Sequence, residues 1–286
     1  MSEAALYVVA TPIGNLEEMS PRAQAVLKEV DLIAAEDTRH CKQLLKHFSI
    51  QTPSLSLHEH NESQRIDQLL NLLAAGKKIA LVSDAGTPLI SDPGYLLVRQ
   101  VRSAGYPVIP VAGPCALISA LSASGLASDR FYFEGFLPAK TVARQKRLQA
   151  LADYKATLIF YEAPHRILET LADALSVFGG ERQACIAREI SKTYETFYTA
   201  SLSEVQAWLC ANPQQVRGEF VFLVEACKAN TSADTPSEEA QHLLELLLQE
   251  GLALKRACHL VANVYAVKKN HLYQWKLQQS SGCAES

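Results

Sequence analysis

Short apolar runs alternate with segments of helical periodicity along the first 114 residues of the chain. Each run consists of β-branched or other apolar residues and is bounded by turn-forming residues, which is typical of buried β-strands. The runs are Leu6–Val9, Leu32–Ala35, Ile79–Val82 and Val108–Val111. Strands that alternate with helices favour a mostly parallel sheet covered by helices, so we expect an α/β fold.

Capping residues indicate where the helices between these runs begin. Ser20 is a preferred N-cap residue and Pro21 is favoured in a first turn, so a helix is predicted from about Pro21. Asn61, followed three residues later by Gln64, predicts another helix that begins with a capping box. Further helices are predicted from about Thr38 and Gly94.

The pattern changes after residue 114, because strand-like runs continue but helices separate only some of them. These runs are Phe131–Phe133, Thr157–Tyr161, Ala184–Ala187, Phe197–Thr199 and Phe220–Val224. They predict a second α/β domain with a mixed sheet. The polar, turn-rich residues 228–236 indicate a linker, and the pattern beyond them is helical. The predicted organisation is an N-terminal α/β domain (1–114), a second α/β domain (115–227) and a C-terminal helical domain (237–286).

The stretch VSDAGTPLISDPG, residues 82–94, places two glycines and two prolines directly after a predicted strand. Loop-forming residues also follow the other predicted strands of the first domain, at 11–14, 36–40 and 112–114. Because ligands of open α/β sheets bind outside the carboxyl ends of the strands, these loops predict one shared crevice. The signatures GxGxxG, GxxxxGK[ST] and GxSxG do not occur, so the residues alone predict a small-molecule site without a P-loop.

Composition argues against several other classes of protein. The chain has 286 residues, of which 48% are hydrophobic and 20% charged, as in ordinary globular proteins. No apolar run approaches the roughly 18 residues of a membrane span, and no secretory leader is evident, so we expect a cytosolic protein. The seven cysteines form no CxxC pair, which argues against a disulfide framework and a zinc site. The net charge is only −3, so any polyanion must be bound by local basic patches.

Seven motifs between residues 11 and 221 share their order and residues with one family. The motifs are TPIGN, AAEDTRH, VSDAGTPLISDPG, GPCA, FYEAPHR, ARExxKxYE and RGEFV. They closely resemble those of the bacterial ribosomal RNA small-subunit methyltransferase I family, which belongs to the tetrapyrrole-methylase-like, class III S-adenosylmethionine (SAM) methyltransferases. The resemblance implies two α/β domains with SAM in the cleft between them, and methyl transfer to the 2′-oxygen of a cytidine in 16S ribosomal RNA near the decoding site. The alternatives are a tetrapyrrole or other small-molecule methyltransferase, and a nucleic-acid-binding regulator with a nucleotide-sensing α/β domain.

The resemblance implies that the loop of residues 82–94 wraps the methionine and ribose portions of SAM. Tetrapyrrole enzymes carry an acid where this chain has Thr87, so charge is expected from Asp84 or Asp92, unless backbone groups suffice. Gly86 allows the backbone to approach a ligand closely and Pro88 fixes φ, so the loop is preorganised. The cofactor-binding residues implied by the resemblance are Pro12, Gly14, Asp84, Gly86, Thr87, Pro88, Ile90, Ala116, Phe160 and Gly218.

Such an enzyme must activate a ribose 2′-hydroxyl, which is a poor nucleophile at neutral pH. The rate then depends on in-line positioning and on a group that accepts the proton. The candidates are Glu36, Asp37, Arg39, Asp92 and Glu162, of which Asp37, Arg39 and Glu162 are the predicted catalytic residues. In one interpretation Asp37 accepts the proton and Arg39 binds a phosphate. In the other, Asp37 is only the N-cap of the helix that begins near Thr38 and is paired with Arg39. No metal is expected, because residues 58–60 (HEH) lack a third ligand and the chemistry needs none.

Two stretches carry the positive charge that RNA binding requires. One contains Lys140, Arg144, Lys146, Arg147 and Lys155, and the other contains Lys255, Arg256, Lys268, Lys269 and Lys276. Either can bind phosphates or form an ordinary solvated face. The second stretch, with a break near Ala266, is similar to the helix-turn-helix that ends this family. The expected partners are the 16S ribosomal RNA of the small subunit and a second copy of the chain in a homodimer, with no membrane.

Overall fold

The structure is a computed structural model, which describes residues 4–58, 61–227, 236–265, 267 and 269–282. It divides into two units, Met1–Cys227 and Lys228–Ser286. Both predicted sheets belong to the first unit, and the C-terminal helices belong to the second. The division of the first unit at residue 114 stays a proposal.

The first sheet is wholly parallel, as the alternating pattern predicts. Its strands are β1 (Leu6–Val9), β2 (Leu32–Ala35), β3 (Ser54–Ser56), β4 (Ile79–Val82) and β5 (Val108–Val111). They lie in the order β3-β2-β4-β1-β5, so β4 is central and every residue in it is buried. The sequence did not predict β3, because two of the three residues of this edge strand are serines and it carries no apolar run.

Helices cover both faces of the first sheet. The helices are α1 (Pro21–Glu29), α2 (Thr38–His47), α3 (Glu62–Ala74) and α4 (Tyr95–Ser103). Leu27 of α1 and Leu45 of α2 pack against Ala80 and Val82 on one face. The alternate residues of β4 face α3 and α4, so the strand is covered on both sides.

The predicted helix starts differ in how they are capped. The Ser20 hydroxyl accepts a hydrogen bond from the Ala23 backbone N–H at 3.0 Å, which confirms the predicted cap of α1. The predicted capping box at Asn61 is wrong, because the Asn61 side chain makes no capping hydrogen bond. Its amide oxygen instead accepts from the His58 N–H at 2.9 Å, which closes the turn before α3.

The second sheet is mixed, which confirms the change of pattern after residue 114. Its strands are β6 (Phe131–Phe136), β7 (Thr157–Glu162), β8 (Gln183–Arg188), β9 (Thr196–Ser201) and β10 (Phe220–Val224). They lie in the order β6-β7-β10-β8-β9, and only β6 and β7 pair in parallel.

Each face of the second sheet packs against different helices. The helices are α5 (Ala116–Ala123), α6 (Thr141–Leu151), α7 (Ile167–Phe178) and α8 (Leu202–Ala211). Phe160 and Phe222 stack in the core shared with α6, α7 and α8, with ring centroids 5.6 Å apart. The opposite face, which includes Ile159 and Val221, packs against α5. This second face is the one turned toward the site described below.

The C-terminal unit is a group of three described helices, α9 (Glu238–Gln249), α10 (Leu254–Tyr265) and α11 (Lys269–Gly282). Leu244, Val261 and Leu272, one from each helix, share its core. The helix predicted over residues 254–265 is confirmed, whereas Ala266 and Lys268 at the predicted turn lie outside the described residues. Among the helices described, none has the length and apolar character needed to cross a membrane.

Candidate functional site

A cavity of about 310 Å³ lies between loops of the first sheet and the α5 face of the second. The first sheet contributes residues that follow β1, β4 and β5, and the second contributes residues at the ends of β6, β7 and β10. The lining residues are Ile13, Ala85, Gly86, Thr87, Ile90, Ser91, Asp92, Cys115, Ala116, Phe136, Tyr161, Glu162, Ala163, Pro164, Ile190, Glu219, Phe220 and Val221. The predicted crevice outside the strand ends is therefore present for the loops after β1, β4 and β5, whereas residues 36–40 after β2 do not line it.

The loop after β4 is tied to both neighbouring loops. Gly86 and Thr11 exchange two backbone hydrogen bonds, of 2.9 and 3.1 Å, and the Thr87 hydroxyl donates to the Pro114 carbonyl at 2.9 Å. Gly86 has a φ of +80°, and a Cβ there would lie 3.2 Å from a methyl group of Ile13. Leu89 and Ser91 also have positive φ, of 74° and 68°, which is rare for residues with a side chain. This loop is held in one strained conformation by its neighbours.

The carboxylates of Glu36, Asp37 and Asp84, at the ends of β2 and β4, form a rim beside the cavity-lining loop, although none of the three lines the cavity. The Asp84 backbone N–H donates to Glu36 at 3.3 Å, and an Asp84 carboxylate oxygen accepts from the Asp37 N–H at 3.0 Å. Asp92, partly buried, lines the cavity itself. Burial raises the pKa of Asp92 to about 6, against a hydrogen bond from Ser83 that lowers it, and the Glu36 and Asp84 charges raise it further. Asp92 is therefore a carboxylate whose proton affinity is close to that of a neutral-pH base.

Asp37 and Arg39 are bonded mainly to each other. Asp37 caps α2 by accepting from the Arg39 backbone N–H at 2.7 Å, and its carboxylate also accepts from the Arg39 guanidinium at 2.7 Å. These bonds hold the pKa of Asp37 far below its usual range. A carboxylate of such low basicity is a poor proton acceptor, whereas the Arg39 side chain, 86% exposed, is available to an anion.

Glu162 lines the cavity, but its carboxylate is engaged in holding a turn. It accepts from the Thr170 hydroxyl at 2.7 Å and from the Ala163 N–H at 2.9 Å, and it lies 3.3 Å from Arg166 Nε. None of its side-chain surface is exposed. These contacts fix the turn between β7 and α7, which carries Ala163 and Pro164 into the cavity wall.

Aromatic rings form the wall on the second sheet. The Tyr161 hydroxyl accepts from the Leu117 N–H at 3.2 Å, in the first turn of α5. Burial, followed by the nearby Cys115 thiol, raises the pKa of Tyr161 far above its usual value, so the hydroxyl stays protonated. The Tyr161 ring contacts Phe133 and Phe136 edge to face, with centroids 4.9 and 5.8 Å away. The wall thus offers planar apolar surface and a fixed hydroxyl.

Comparison with known proteins assigns this arrangement to a family. Residues 5–206 match the Tetrapyrrole (Corrin/Porphyrin) Methylases, and residues 234–280 match the RsmI C-terminal HTH domain. A protein of Pseudomonas aeruginosa named ribosomal RNA small subunit methyltransferase I is 55% identical over 279 residues, which is 98% of this chain and 99% of that protein. The chain belongs to the ribosomal RNA small subunit methyltransferase I family. A Vibrio cholerae protein of the same name is 52% identical over 96% of this chain and 94% of its own length.

Solved structures show the same fold, although their sequence identity to this chain is much lower. Uroporphyrin-III-C-methyltransferase from Thermus thermophilus matches with a TM-score of 0.56 and 19% identity, over 78% of this chain and 94% of that one. Diphthine synthase matches with a TM-score of 0.59 and 12% identity, over 78% of this chain and 90% of its own. At such identities the likeness concerns the fold alone.

Five of the thirteen residues predicted at the site line the cavity. They are Gly86, Thr87, Ile90, Ala116 and Glu162. Pro12, Asp84 and Pro88 lie beside lining residues in the same loops, whereas Gly14 lies against Lys192 and Gly218 against Glu189. Asp37 donates its backbone N–H to Asp84 and Arg39 is bonded to Asp37, but neither Asp37 nor Arg39 lines the cavity.

Phe160 is not brought to the cavity, because it faces the opposite side of β7 and is fully buried against Phe222. Its neighbour Tyr161 lines the cavity instead, and Glu219 does so beside Gly218. Successive strand residues point to opposite faces, so the sequence located the segment but not which residue of the pair faces the ligand. Because β7 is buried on both faces, its sequence does not alternate between polar and apolar residues, and no such alternation distinguishes Phe160 from Tyr161.

The first basic stretch is only partly exposed. Arg144 is buried and bonds Asp173 at 2.6 Å, and Arg147 makes two hydrogen bonds of 2.6 Å to Glu134. Lys140, Lys146 and Lys155 are exposed, so the stretch is a weaker RNA-binding patch than its composition indicates. Within the described ranges, no group of three His, Cys, Asp or Glu is placed to bind a metal ion, and Glu59 and His60 lie outside those ranges.

Proposed function

We propose that this chain is a SAM-dependent methyltransferase that modifies the 2′-oxygen of a cytidine in 16S ribosomal RNA, near the decoding site of the small subunit. The observation that carries the proposal is 55% identity, over nearly the whole of both chains, to a protein named ribosomal RNA small subunit methyltransferase I. The match of residues 234–280 to the C-terminal domain of that family supports an RNA substrate over a tetrapyrrole.

The size and lining of the cavity support SAM as its ligand. Its volume of about 310 Å³ lies at the lower end of the range of ligand pockets. The backbone at Gly86 has no side chain between it and the cavity, and Ala85 and Ala116 keep the wall close. Asp92 supplies the negative charge that a sulfonium or an ammonium group requires, whereas the Glu219 carboxylate is paired with Lys192 at 2.9 Å. When bound, SAM supplies an electrophilic methyl group.

Proton removal is assigned in this proposal to Asp92 rather than to Asp37 or Glu162. Asp37 is bonded to Arg39 and has a strongly lowered pKa, and the Glu162 carboxylate is buried in the turn before α7. Asp92 lines the cavity, and its pKa of about 6 leaves it charged at neutral pH yet basic enough to accept a proton at a carboxylate oxygen. Arg39, at the same rim, binds a phosphate of the RNA in this scheme.

Two partner assignments accompany the proposal. The exposed cations of the C-terminal helices, which include Lys255 and Arg256, bind RNA phosphates in the cytosol. The protein acts as a homodimer, with two equivalent sites that meet separate subunits. Light scattering at micromolar protein checks the second point, since a fully active monomer would contradict it.

The decisive experiment is transfer of a labelled methyl group from SAM to small ribosomal subunits isolated from cells that lack this enzyme. We expect one methyl group per subunit, at a 2′-oxygen located by mass spectrometry of nuclease digests. Transfer to a tetrapyrrole but not to subunits would support the small-molecule alternative. SAM binding without any transfer would support the regulator.

A further inference from the structure

A β-bulge near the end of β6 determines which residue of that strand reaches the cavity. In the pairing with β7, Phe131, Tyr132 and Phe133 lie opposite Thr157, Leu158 and Ile159 in regular register. The register then shifts, so that Gly135 lies opposite Phe160 and Phe136 opposite Tyr161. Glu134 is the extra residue. If the register continued without this shift, Phe136 would lie opposite Glu162 and share the face of Phe160, which is the buried side of the sheet.

Gly135 makes this bulge possible and fixes it against the loop after β4. Its φ is +77°, which residues with a side chain rarely adopt. A Cβ at this position would lie 2.9 Å from the Ser91 hydroxyl oxygen, so a larger residue would displace the loop. Ser91 itself has a positive φ and lines the cavity. Two unusual backbone conformations therefore meet where β6 reaches the site.

The result is an aromatic ring at the mouth of the cavity. Phe136 lines the cavity, yet 55% of its surface is exposed, whereas Phe160 on the other face of the sheet is fully buried. Its ring contact among the described residues is Tyr161, edge to face at 5.8 Å. Tyr161 is held by Phe133 and by the Leu117 N–H. The Phe136 ring is thus held by Tyr161 on one side and exposed to solvent on the other. An exposed phenyl ring does not stabilise the fold, so its exposure suggests another role.

We infer that Phe136 is a stacking platform for a nucleobase of the RNA substrate, which is splayed out of its strand as its ribose enters the cavity. The inference rests on the proposed function. Proteins that act on unstacked nucleotides commonly hold the base on an aromatic ring, and such stacking tolerates any base because every base has a π-face. The adenine of a cofactor is the other base available at this site. We assign the ring to RNA because a bound cofactor has most of its surface enclosed, and Phe136 lies at the open end.

The test compares Phe136→Ala, Phe136→Leu and Phe136→Tyr with Phe131→Ala. Phe131 is a matched control, because it lies on the same strand, before the bulge, is 44% exposed and does not line the cavity. Methyl transfer to unmodified small ribosomal subunits is measured at varied subunit and SAM concentrations, and SAM affinity by calorimetry. We expect kcat/KM for subunits to fall roughly 5- to 100-fold in Phe136→Ala and Phe136→Leu, with recovery in Phe136→Tyr. SAM affinity and the Phe131→Ala variant should match the wild type within about twofold.

Each other outcome overturns the inference in a recognisable way. A parallel loss of SAM affinity in Phe136→Ala would assign the ring to the cofactor. Full activity in Phe136→Leu would show that apolar cover, and not a π-face, is what the site needs. Unchanged kinetics in Phe136→Ala, with a wild type that methylates subunits, would remove the platform and leave the proposed function intact. A wild type that transfers nothing to subunits would overturn both.

Discussion

The parallel first sheet and the mixed second sheet supply different kinds of group to one cavity. The loop after β4 brings Asp92 and a backbone with positive φ at Gly86, Leu89 and Ser91. The second sheet brings aromatic and apolar side chains from within its strands, and its one buried acid at the wall, Glu162, is fully hydrogen bonded. Polar and strained groups thus enter from loops, and flat apolar surface enters from strands.

The physical reason lies in where each group is held. A residue beyond the end of a strand can carry a partly solvated charge without removing a hydrogen bond from the ladder. A side chain within a strand is fixed by pairing on both sides and is suited to defining shape. Changes in the loops of the first sheet should therefore alter chemistry and cofactor binding, whereas changes behind the second sheet should alter stability.

The largest effect is expected from Asp92→Asn. If Asp92 accepts the proton from the 2′-hydroxyl, its amide replacement should lower kcat, measured at a SAM concentration that saturates the variant, by roughly 100- to 10,000-fold. In the wild type, kcat/KM should fall as the pH drops through about 6, because protonated Asp92 cannot accept a second proton. Rates measured from pH 5 to 8 test this. An acid limb that persists in the variant would assign the titration to another group.

The same variant has a built-in folding control. The pKa of Asp92 in the folded protein is about 6, above its ordinary value of 3.8, so the charged carboxylate disfavours the folded state. Its contribution to stability is lost as the pH rises from 3.8 through about 6. Asp92→Asn should therefore unfold at a higher temperature than the wild type at pH 8, with the difference shrinking below pH 6. Lower stability at pH 8 would mean that Asp92 has a structural role instead.

A stability loss is expected behind the second sheet, from Arg144→Ala. Arg144 and Asp173 form a buried ion pair at 2.6 Å, with side chains 1% and 9% exposed. Removing the guanidinium leaves a buried carboxylate bonded only by Gln145, so the free energy of unfolding should fall by roughly 3–5 kcal/mol. The matched control is Arg39→Ala, whose ion pair with Asp37 is exposed to water and should contribute little to stability. Equal losses in urea titrations would contradict the contrast between the two regions.

The sequence predicted the first sheet well because its central strands are buried on both faces. Leu32–Ala35 and Ile79–Val82 occur as continuous apolar runs bounded by turn residues, and they appear as β2 and β4 with those bounds. The sequence did not indicate β3, because two of its three residues are serines and the strand lies at an edge. Asn61 shows the limit of local sequence rules. Its side chain could either cap α3 or accept a hydrogen bond from the preceding turn, and it accepts from the His58 N–H.

The site was harder to predict than the fold. The loop of residues 82–94 was found by its glycines and prolines, and Gly86, Thr87 and Ile90 line the cavity. Which residue of a strand faces the ligand depends on the pleat, and this favoured Tyr161 over Phe160. Phe136 depends on the bulge at Glu134, which only the pairing with β7 reveals. Glycine after an acid was the available signal, and it does not specify a bulge by itself.

A smaller loss, of SAM affinity, is expected from Gly86→Val, which changes the loop after β4 and leaves the strands of the first sheet unchanged. Gly86 has a φ of +80°, and a Cβ added there would lie 3.2 Å from the Cγ2 methyl of Ile13. A branched side chain should therefore force the loop to move. Strain of about 1–3 kcal/mol corresponds to a SAM affinity roughly 5- to 100-fold weaker. Gly76→Val is the control, because Gly76 has the same φ with no atom within 4 Å of its Cβ position. Normal SAM binding by folded Gly86→Val would move the cofactor away from this loop.

The smallest effect concerns the C-terminal helices. In our proposal they make most of the charged contacts with RNA, because Arg144 is buried and Arg147 is bonded to Glu134. Lys269 begins α11, and Lys268 lies outside the described residues. Replacing both with Ala should weaken subunit binding several-fold and reduce the slope of log K against log salt by about 0.7–0.9 for each phosphate that is no longer neutralised. SAM binding should not change. The control is Lys140→Ala together with Lys146→Ala, on the exposed side of α6. The contrary outcome is that the control lowers the slope while the Lys268 and Lys269 replacements do not. In that case the second sheet's domain binds RNA by charge, and it supplies more than apolar surface, contrary to the contrast drawn above.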